Sequence, residues 1–571
     1  MAARMRGGER LTLAALTAMA AGLLALPLLL VARQGLFSAD GTGAGSRVMA
    51  VLADPGVRRA TVHSLVTAGG SGAFALVIGA TLAAVLCLSD IRARGAFIFL
   101  LILPMMIPQH VTAIAWLQAT GPGSPLLGSL GLAPPIGTPN PLYSLGGILV
   151  LLTIQHAPLV FLVMLAALKQ IPGELVEAAR IAGASPYRAL RRVLLPAAGP
   201  ALIAAYALAV VSTLGNFGIP ALLGIPARYI TLPVLIWRQL AAFGPGMLGE
   251  VALLSFLLGV VAIAAVLVQM ALQRRAGARL TSRARRPIRL HLGRARPWVE
   301  AALAAYVAVT VVVPVSALFA TSLVPTYGAA LTLKTATLAN YAEVLLRQQV
   351  TLRAFANSAL AAGGAAVTLA LAAVALSAFL FGPARPGVRR LVTGIVALGE
   401  ISYAVPGVVI SIAFILAFLR PLPLVHLSLY NTLAIIYLAY LAAFFAIALK
   451  PVGAAVAQLD EALDAAARVA GAGFGQRFRR ILFPMVSPAA LSGAIIVFLT
   501  AYNEVTVSAL LWSNGTETVG TTIFNYEDSG YTTLAAAMAM VTVAVTVGLM
   551  ALLNLLAGWL RLPEGALPWR A

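Results

Sequence analysis

The sequence is poor in the residues from which soluble catalysts and nucleic-acid binders are built. Only 10% of its 571 residues are charged, one is cysteine, and three are lysine, at Lys169, Lys334 and Lys450. A lone Cys87 excludes an intrachain disulfide and any cysteine-based metal site. No lysine follows a glycine, so the phosphate-cradling G-x-x-x-x-G-K-[S/T] loop is missing and ATP must bind elsewhere. The five histidines, His63, His110, His156, His291 and His426, are scattered, and none stands at i, i+4 from another ligand-type residue, so no metal site or cofactor is indicated. Clustered catalytic carboxylates or a poised nucleophile are also missing, which argues against a membrane-embedded enzyme. Acidic residues are scarce, 18 against 39 basic, for a net charge of +21. That excess does not imply a nucleic acid. Arginine is grouped in short segments between apolar runs, and no soluble basic domain exists to hold one.

What the chain has in abundance is apolar sequence, 61% of its residues. A water-soluble fold cannot cover so much, and the solvent is therefore lipid. Spanning the hydrocarbon core takes roughly 20 consecutive apolar residues in a helix, and the sequence supplies about twelve such runs. They lie near 11–32, 62–88, 96–118, 144–168, 199–221, 248–271, 298–320, 356–381, 391–418, 430–449, 488–511 and 532–560. The runs are continuous and rich in Ala, Leu and Val rather than alternating, which selects an all-α integral membrane protein over a barrel. The first run, preceded by Arg4, Arg6 and Arg10, is too long for a signal-peptide core and is expected to remain as an uncleaved span. An even number of spans places both termini on one side. With that side cytoplasmic, the basic groups Arg92 and Arg94, Lys169 to Arg192, Arg274 to Arg296, Arg385 to Arg390, and Lys450 to Arg480 all face inward, as the positive-inside rule requires.

The chain repeats itself. "SLVTAGG" at Ser64–Gly70 answers "SALAAGG" at Ser358–Gly364, an offset of 358 − 64 = 294. "RIAGASPYRALRRVLLP" at Arg180–Pro196 answers "RVAGAGFGQRFRRILFP" at Arg468–Pro484, with 468 − 180 = 288. Nearly equal offsets imply two homologous six-helix halves in parallel orientation, residues 1–271 and 298–571, because an even number of spans per half preserves direction. Residues 272–297, with nine arginines and the breakers Pro287 and Pro297, read as a basic cytoplasmic linker.

Each half interrupts its hydrophobic pattern with one compact amphipathic segment. In the first, a strong helix-forming stretch from Glu177 reaches Gly183, which can turn the chain, and a second basic helix ends at Pro196. This predicts a helix-turn-helix lying along the membrane face.

Here the sequence resembles the inner-membrane permeases of ABC importers, whose "EAA" loop has the form E-A-A, three residues, G, nine residues, I-x-L-P. Glu177, Ala178, Ala179, Gly183 and Pro196 match at that spacing, with Val193 in place of Ile. In the second copy Gly471, Ile481 and Pro484 match, but Ala465 stands at the glutamate position, with Asp464 and Glu461 nearby. The resemblance implies that the short helix before each glycine is a coupling helix seated in a cleft of an ATPase subunit. It implies two copies of that ATPase, a periplasmic solute-binding protein as further partner, and a bacterial inner membrane as location. "GNFGIPALLG" at Gly215–Gly224 and "YNEVTVSALLW" at Tyr502–Trp512 extend the likeness. The fusion of two halves is most similar to the ferric-iron group of these permeases, whose near relatives handle thiamine or aminoethylphosphonate.

Glu400 and Glu504 lie in or at the edge of predicted spans, where a carboxylate costs about 2.5–3.5 kcal/mol on insertion scales and is expected to face an aqueous path or reach water at a helix end. Asn216 and Asn503 follow the two loops at corresponding places and are candidates either for solute contact or for tying helices together. Pro104, Pro108 and Pro406 sit inside apolar runs, where each removes a backbone donor and predicts a kink. A secondary transporter with two parallel six-helix halves shares the duplicated hydropathy, but it has no need of matched amphipathic hairpins between the fourth and fifth spans.

Overall fold

The computed structural model describes residues 7–37, 44–135, 137–242, 246–276, 291–381, 386–421, 426 and 428–559. The middle of the predicted linker, Arg385 and both extreme termini lie outside the described residues. Among the described residues the protein is helical, without a β-strand. The first half runs through α1 (Gly8–Leu36), α2 (Pro55–Leu88), α3 (Arg94–Met106), α4 (Gln109–Thr120), α5 (Leu145–Gln170), α6 (Gly173–Ile181), α7 (Gly199–Leu214), α8 (Leu232–Ala241) and α9 (Met247–Ala276). The second half repeats the series as α10 (Gly293–Ser322), α11 (Gln349–Leu380), α12 (Pro386–Ala404), α13 (Gly407–Phe418), α14 (Leu433–Ala457), α15 (Glu461–Val469), α16 (Phe474–Tyr502), α17 (Val519–Asp528) and α18 (Thr532–Trp559). Nine helices among the described residues are long and apolar enough to cross a membrane, or up to twelve when each of three bent pairs is one span.

Two of those pairs lie in the runs near 96–118 and 391–418, where Pro108 and Pro406 predict kinks, and the third spans the start of the run near 199–221. α3 and α4 meet at 98°, and α12 and α13 at 112°. The breaks fall at Ile107–Pro108 and Val405–Pro406, and the two prolines take nearly the same extended conformation, with ψ of 138° and 142°. Proline lacks the N–H that would continue the helix and pushes the preceding residue out of the α region, so the chain turns sharply instead of kinking gently. The third pair, Arg191–Ala197 and α7, bends by 54° around Ala198.

The duplication is visible in single hydrogen bonds. Leu232 N–H, opening α8, donates to Ser64 Oγ of α2 at 2.8 Å, and Val519 N–H, opening α17, donates to Ser358 Oγ of α11 at 2.9 Å. The repeated serine thus satisfies one of the free donors at a helix start, by the same bond in each half. Close packing comes from small residues. A Cβ at Gly79 would lie 2.6 Å from the Ala157 carbonyl oxygen, and one at Gly493 would lie 2.9 Å from that of Ala448, so α2 and α5, and α14 and α16, approach backbone to backbone.

The halves are interlocked rather than merely adjacent. α1 packs on its own α9 and on α13 of the other half, and α10 packs on its own α18 and on α4 of the other half. Each first span therefore clamps the broken span of the opposite half. After the linker, α10 is fastened to the turn following α2: Leu292 N–H donates to Asp90 Oδ1 at 3.0 Å, Arg92 N–H donates to Glu300 Oε1 at 2.8 Å, and Arg296, paired with Glu300 in its own helix at 2.9 Å, lies 3.8 Å from Asp90. Large apolar side chains such as Val77, Leu360, Val367 and Leu371 remain exposed on the outside of the bundle, where lipid is their partner.

Candidate functional site

Two features stand out by geometry, a matched pair of surface hairpins and a central cavity. The first hairpin consists of α6, a turn at Gly183, and the short helices from Pro186 onward. Gly183 has φ +82°, and its equivalent Gly471 has φ +76°. Gly183 N–H donates to Arg180 O at 3.0 Å and Ala184 N–H to Ala179 O at 2.9 Å; Gly471 and Ala472 repeat both bonds on Arg468 and Ala467 at 3.0 and 2.9 Å. This is the Schellman termination, which needs a left-handed residue after the helix and favours glycine there.

The coupling residues expected from the sequence fall on corresponding faces. Glu177 and Ala178 are exposed on α6, as Ala465 is on α15, and Ala179 is half-buried. Pro196 and Pro484 are exposed near the ends of the second arms. Glu177 makes no ion pair among the described residues and is free for an external partner. Asp464 behaves otherwise. It is buried, and its carboxylate is held by Arg468 at 2.7 Å and by Arg477 from the second arm. It is an internal clamp between the two arms of the hairpin.

Sequence reasoning passed over the large apolar residues that the hairpins expose most. Ile181 and Val469, related by the offset of 288, are 89% and 90% exposed, and Leu175 and Leu463, related by the same offset, are exposed beside them. The matched offset was the available signal. The same exposed apolar pattern is thus repeated at the same place in each half.

The central cavity, about 540 Å³, is lined by both halves. Its wall includes the breaks at Pro108 and Pro406, Gln109, Gln155 and His156 from the first half, and Tyr403, Lys450, Asn503 and Glu504 from the second. Of the path candidates, Asn503 and Glu504 reach this cavity and Asn216 and Glu400 do not. Asn503 Nδ2 donates to Leu499 O at 3.1 Å and to Thr546 Oγ1 at 3.3 Å, with Met106 O of the first half at 3.5 Å, so it also ties the halves together. Glu504 accepts the N–H groups of Val507 and Ser508 and caps the short helix Ser508–Leu511 while facing the cavity. Asn216 is buried behind the wall and accepts Ile219 N–H at 3.3 Å. Glu400 pairs with Lys450 at 3.4 Å and lines a second cavity of about 430 Å³, which reaches Leu459 near the second hairpin. Lys450 also lies over the Tyr403 ring at 4.4 Å. Among the described residues no group of three or more His, Cys, Asp or Glu side chains is placed to hold a metal ion.

A duplicated bundle with broken spans around a shared cavity, and one exposed hairpin per half, defines a two-half membrane permease. The chain belongs to the family described as binding-protein-dependent transport system inner membrane component, which matches it twice, over residues 72–282 and 388–562. It is similar to a probable ABC transporter permease protein of Sinorhizobium fredii, y4fN, 26% identical over 86% of this chain and 85% of that one. It is similar to the ferric transport system permease protein FbpB of Actinobacillus pleuropneumoniae, 24% identical over 92% of this chain and 74% of that one. A shorter stretch, 17% of this chain and 34% of the other, is 38% identical to a putative 2-aminoethylphosphonate transport system permease protein of Salmonella typhi. Each of these relatives is named a permease protein. The protein is accordingly a multi-pass membrane permease.

Proposed function

We propose that this chain forms the translocation path of an ATP-driven importer in a bacterial inner membrane, with both termini cytoplasmic. Residues 1–271 and 298–571 are its two permease halves, and 272–297 the linker between them. A periplasmic binding protein delivers the solute, and two copies of a separate ATPase subunit dock on the hairpins around Gly183 and Gly471. The observation that carries this reading is the pairing of the hairpins: the same Schellman turn, and exposed Ile181 and Val469 at the same place in each. ATP turnover in a soluble subunit moves membrane helices only through a stiff element shared across the interface, and these hairpins are such elements. The two-half secondary carrier is set aside by the family match.

Ferric iron is the solute we favour. A relative named for ferric transport aligns over 92% of this chain, whereas the aminoethylphosphonate relative aligns over 17%. Co-expression with an ATPase subunit and affinity purification tests the class. The wild-type permease should retain two ATPase copies by complex mass, and Ile181→Asp with Val469→Asp should release both. Retention by the double variant would remove the hairpins from the account.

A further inference from the structure

The two halves share a backbone plan but not a chemistry at the cavity wall. Aligning the breaks at Pro108 and Pro406 gives an offset of 406 − 108 = 298, which pairs Gln109 with Gly407, His110 with Val408, Thr112 with Ile410, and Gln118 with Leu416. Aligning the helix caps Ser144 and Thr432 gives 432 − 144 = 288, which pairs Gln155 with Ala443 and His156 with Phe444. Gln109, Gln155 and His156 line the cavity, and so do Gly407, Ala443 and Phe444. At these three positions the first half is polar and the second apolar, while the second half brings Tyr403, Lys450, Asn503 and Glu504 to other parts of the wall.

The polar wall is also unsatisfied. Gln155 and His156 are 4% and 3% exposed, and Gln109 Oε1, Gln155 Oε1 and His156 Nε2 have no hydrogen-bond partner among the described residues. Burying such atoms unpaired is costly, and one explanation for keeping them is a partner that arrives during function. His156 Nδ1 lies 2.8 Å from the Leu152 carbonyl oxygen, which can only accept, with the Thr213 hydroxyl farther off at 3.3 Å, so Nδ1 carries the proton and Nε2 presents a lone pair. Across the cavity the Glu504 carboxylate is acceptor-only when ionised, and the one lysine on the wall, Lys450, is paired with Glu400.

We propose that Gln109, Gln155 and His156 form a one-sided subsite for a cationic solute that presents O–H or N–H donors, held through hydrogen bonds and not by direct metal coordination. A hydrated ferric ion and an organic ammonium share that chemistry; an oxyanion lacks it. The inference rests on the permease reading and deepens it by naming the solute class.

Two measurements test it. Full-length protein in lipid nanodiscs, with 15N-labelled histidine, is titrated with hexaamminecobalt(III), a substitution-inert cation that offers only N–H donors. A saturable shift of the His156 Nε2 resonance is expected, and none with molybdate; an unmoved His156 signal, or an equal response to molybdate, overturns the subsite. The second measurement is uptake by the assembled transporter. His156→Phe with Gln155→Ala, the residues at the equivalent places of the second half, should lower uptake about tenfold, and His156→Gln, which keeps an acceptor, should recover part of it. Uptake by the double variant within about twofold of wild type overturns the proposal. Ferric ion and thiamine as separate substrates distinguish the hydrated metal from the organic cation. Failure of wild-type permease to capture an ATPase, with hexaamminecobalt(III) binding intact, would count against the transport reading and not against the subsite.

Discussion

Arg477 donates a hydrogen bond to the Asp464 carboxylate and so joins the two arms of the second hairpin through a buried ion pair. The offset of 288 places Val176 and Ala189 at the equivalent positions of the first hairpin, where both are buried in one apolar cluster. The same two-armed shape is thus held by apolar contact in one half and by charge in the other.

This substitution of chemistry predicts an asymmetric mutational response. Asp464→Asn leaves Arg477 without its partner and should destabilise the second hairpin by about 3 kcal/mol, the range seen when one member of a buried pair is removed. Asp464→Val with Arg477→Ala, which installs the pair used by the first half, should cost about 1 kcal/mol or less. Hydrogen exchange of α15 measures both.

At Gly183 and Gly471 the constraint is conformational and not steric, since a Cβ at either would meet nothing within 4 Å. Valine should cost about 1–2 kcal/mol at each, because the left-handed conformation crowds its branched side chain, whereas asparagine should be tolerated. Coupled uptake should fall in Gly183→Val with Gly471→Val and persist in the corresponding asparagine double variant.

Ser64→Ala and Ser358→Ala each remove the acceptor for a buried helix-start N–H. Each should lower stability by about 1–3 kcal/mol, and the two effects should be similar in size, as read by thermal unfolding in detergent. Unequal effects would show that the halves do not share this bond energetically.

The fastening of α10 to the first half should be sensitive to acid. Hydrogen bonding from Leu292 N–H, with lesser help from His291 and Arg296, holds the Asp90 carboxyl below its ordinary range. A depressed folded-state pKa contributes stability above the unfolded value and loses it as pH falls through the folded one. Protease access next to His291 should therefore rise only at pH values below the ordinary aspartate range, and Asp90→Asn should bring that access to neutral pH.

Much of this architecture was legible in the sequence because it rests on composition and spacing. The apolar runs located the spans, and the repeated Ser64/Ser358 and Gly183/Gly471 fixed the duplication and the hairpin turns. Hydropathy carries no direction, however, so the runs containing Pro108 and Pro406 read as kinked spans when the chain in fact turns by about a right angle. The candidate path residues separated for a related reason. Asn503 and Asn216 occupy matching places in sequence, but only Asn503 faces the cavity, and Glu504 spends its carboxylate on a helix start as well as on the wall. Spacing shows that Asp464 adjoins Ala465 but not that Asp464 is buried while Ala465 is exposed. The polar wall of Gln109, Gln155 and His156 was hidden inside runs whose average is strongly apolar.

The most direct test of the coupling account uses the low native cysteine content, a single buried Cys87. Ile181→Cys and Val469→Cys, made in a Cys87→Ser background, are exposed to a membrane-impermeant thiol reagent in right-side-out and inside-out vesicles, with and without the ATPase subunit. Labelling of both positions only in inside-out vesicles, with protection by the ATPase, is the predicted result. Labelling from the periplasmic side, or labelling that the ATPase leaves unchanged, would contradict it.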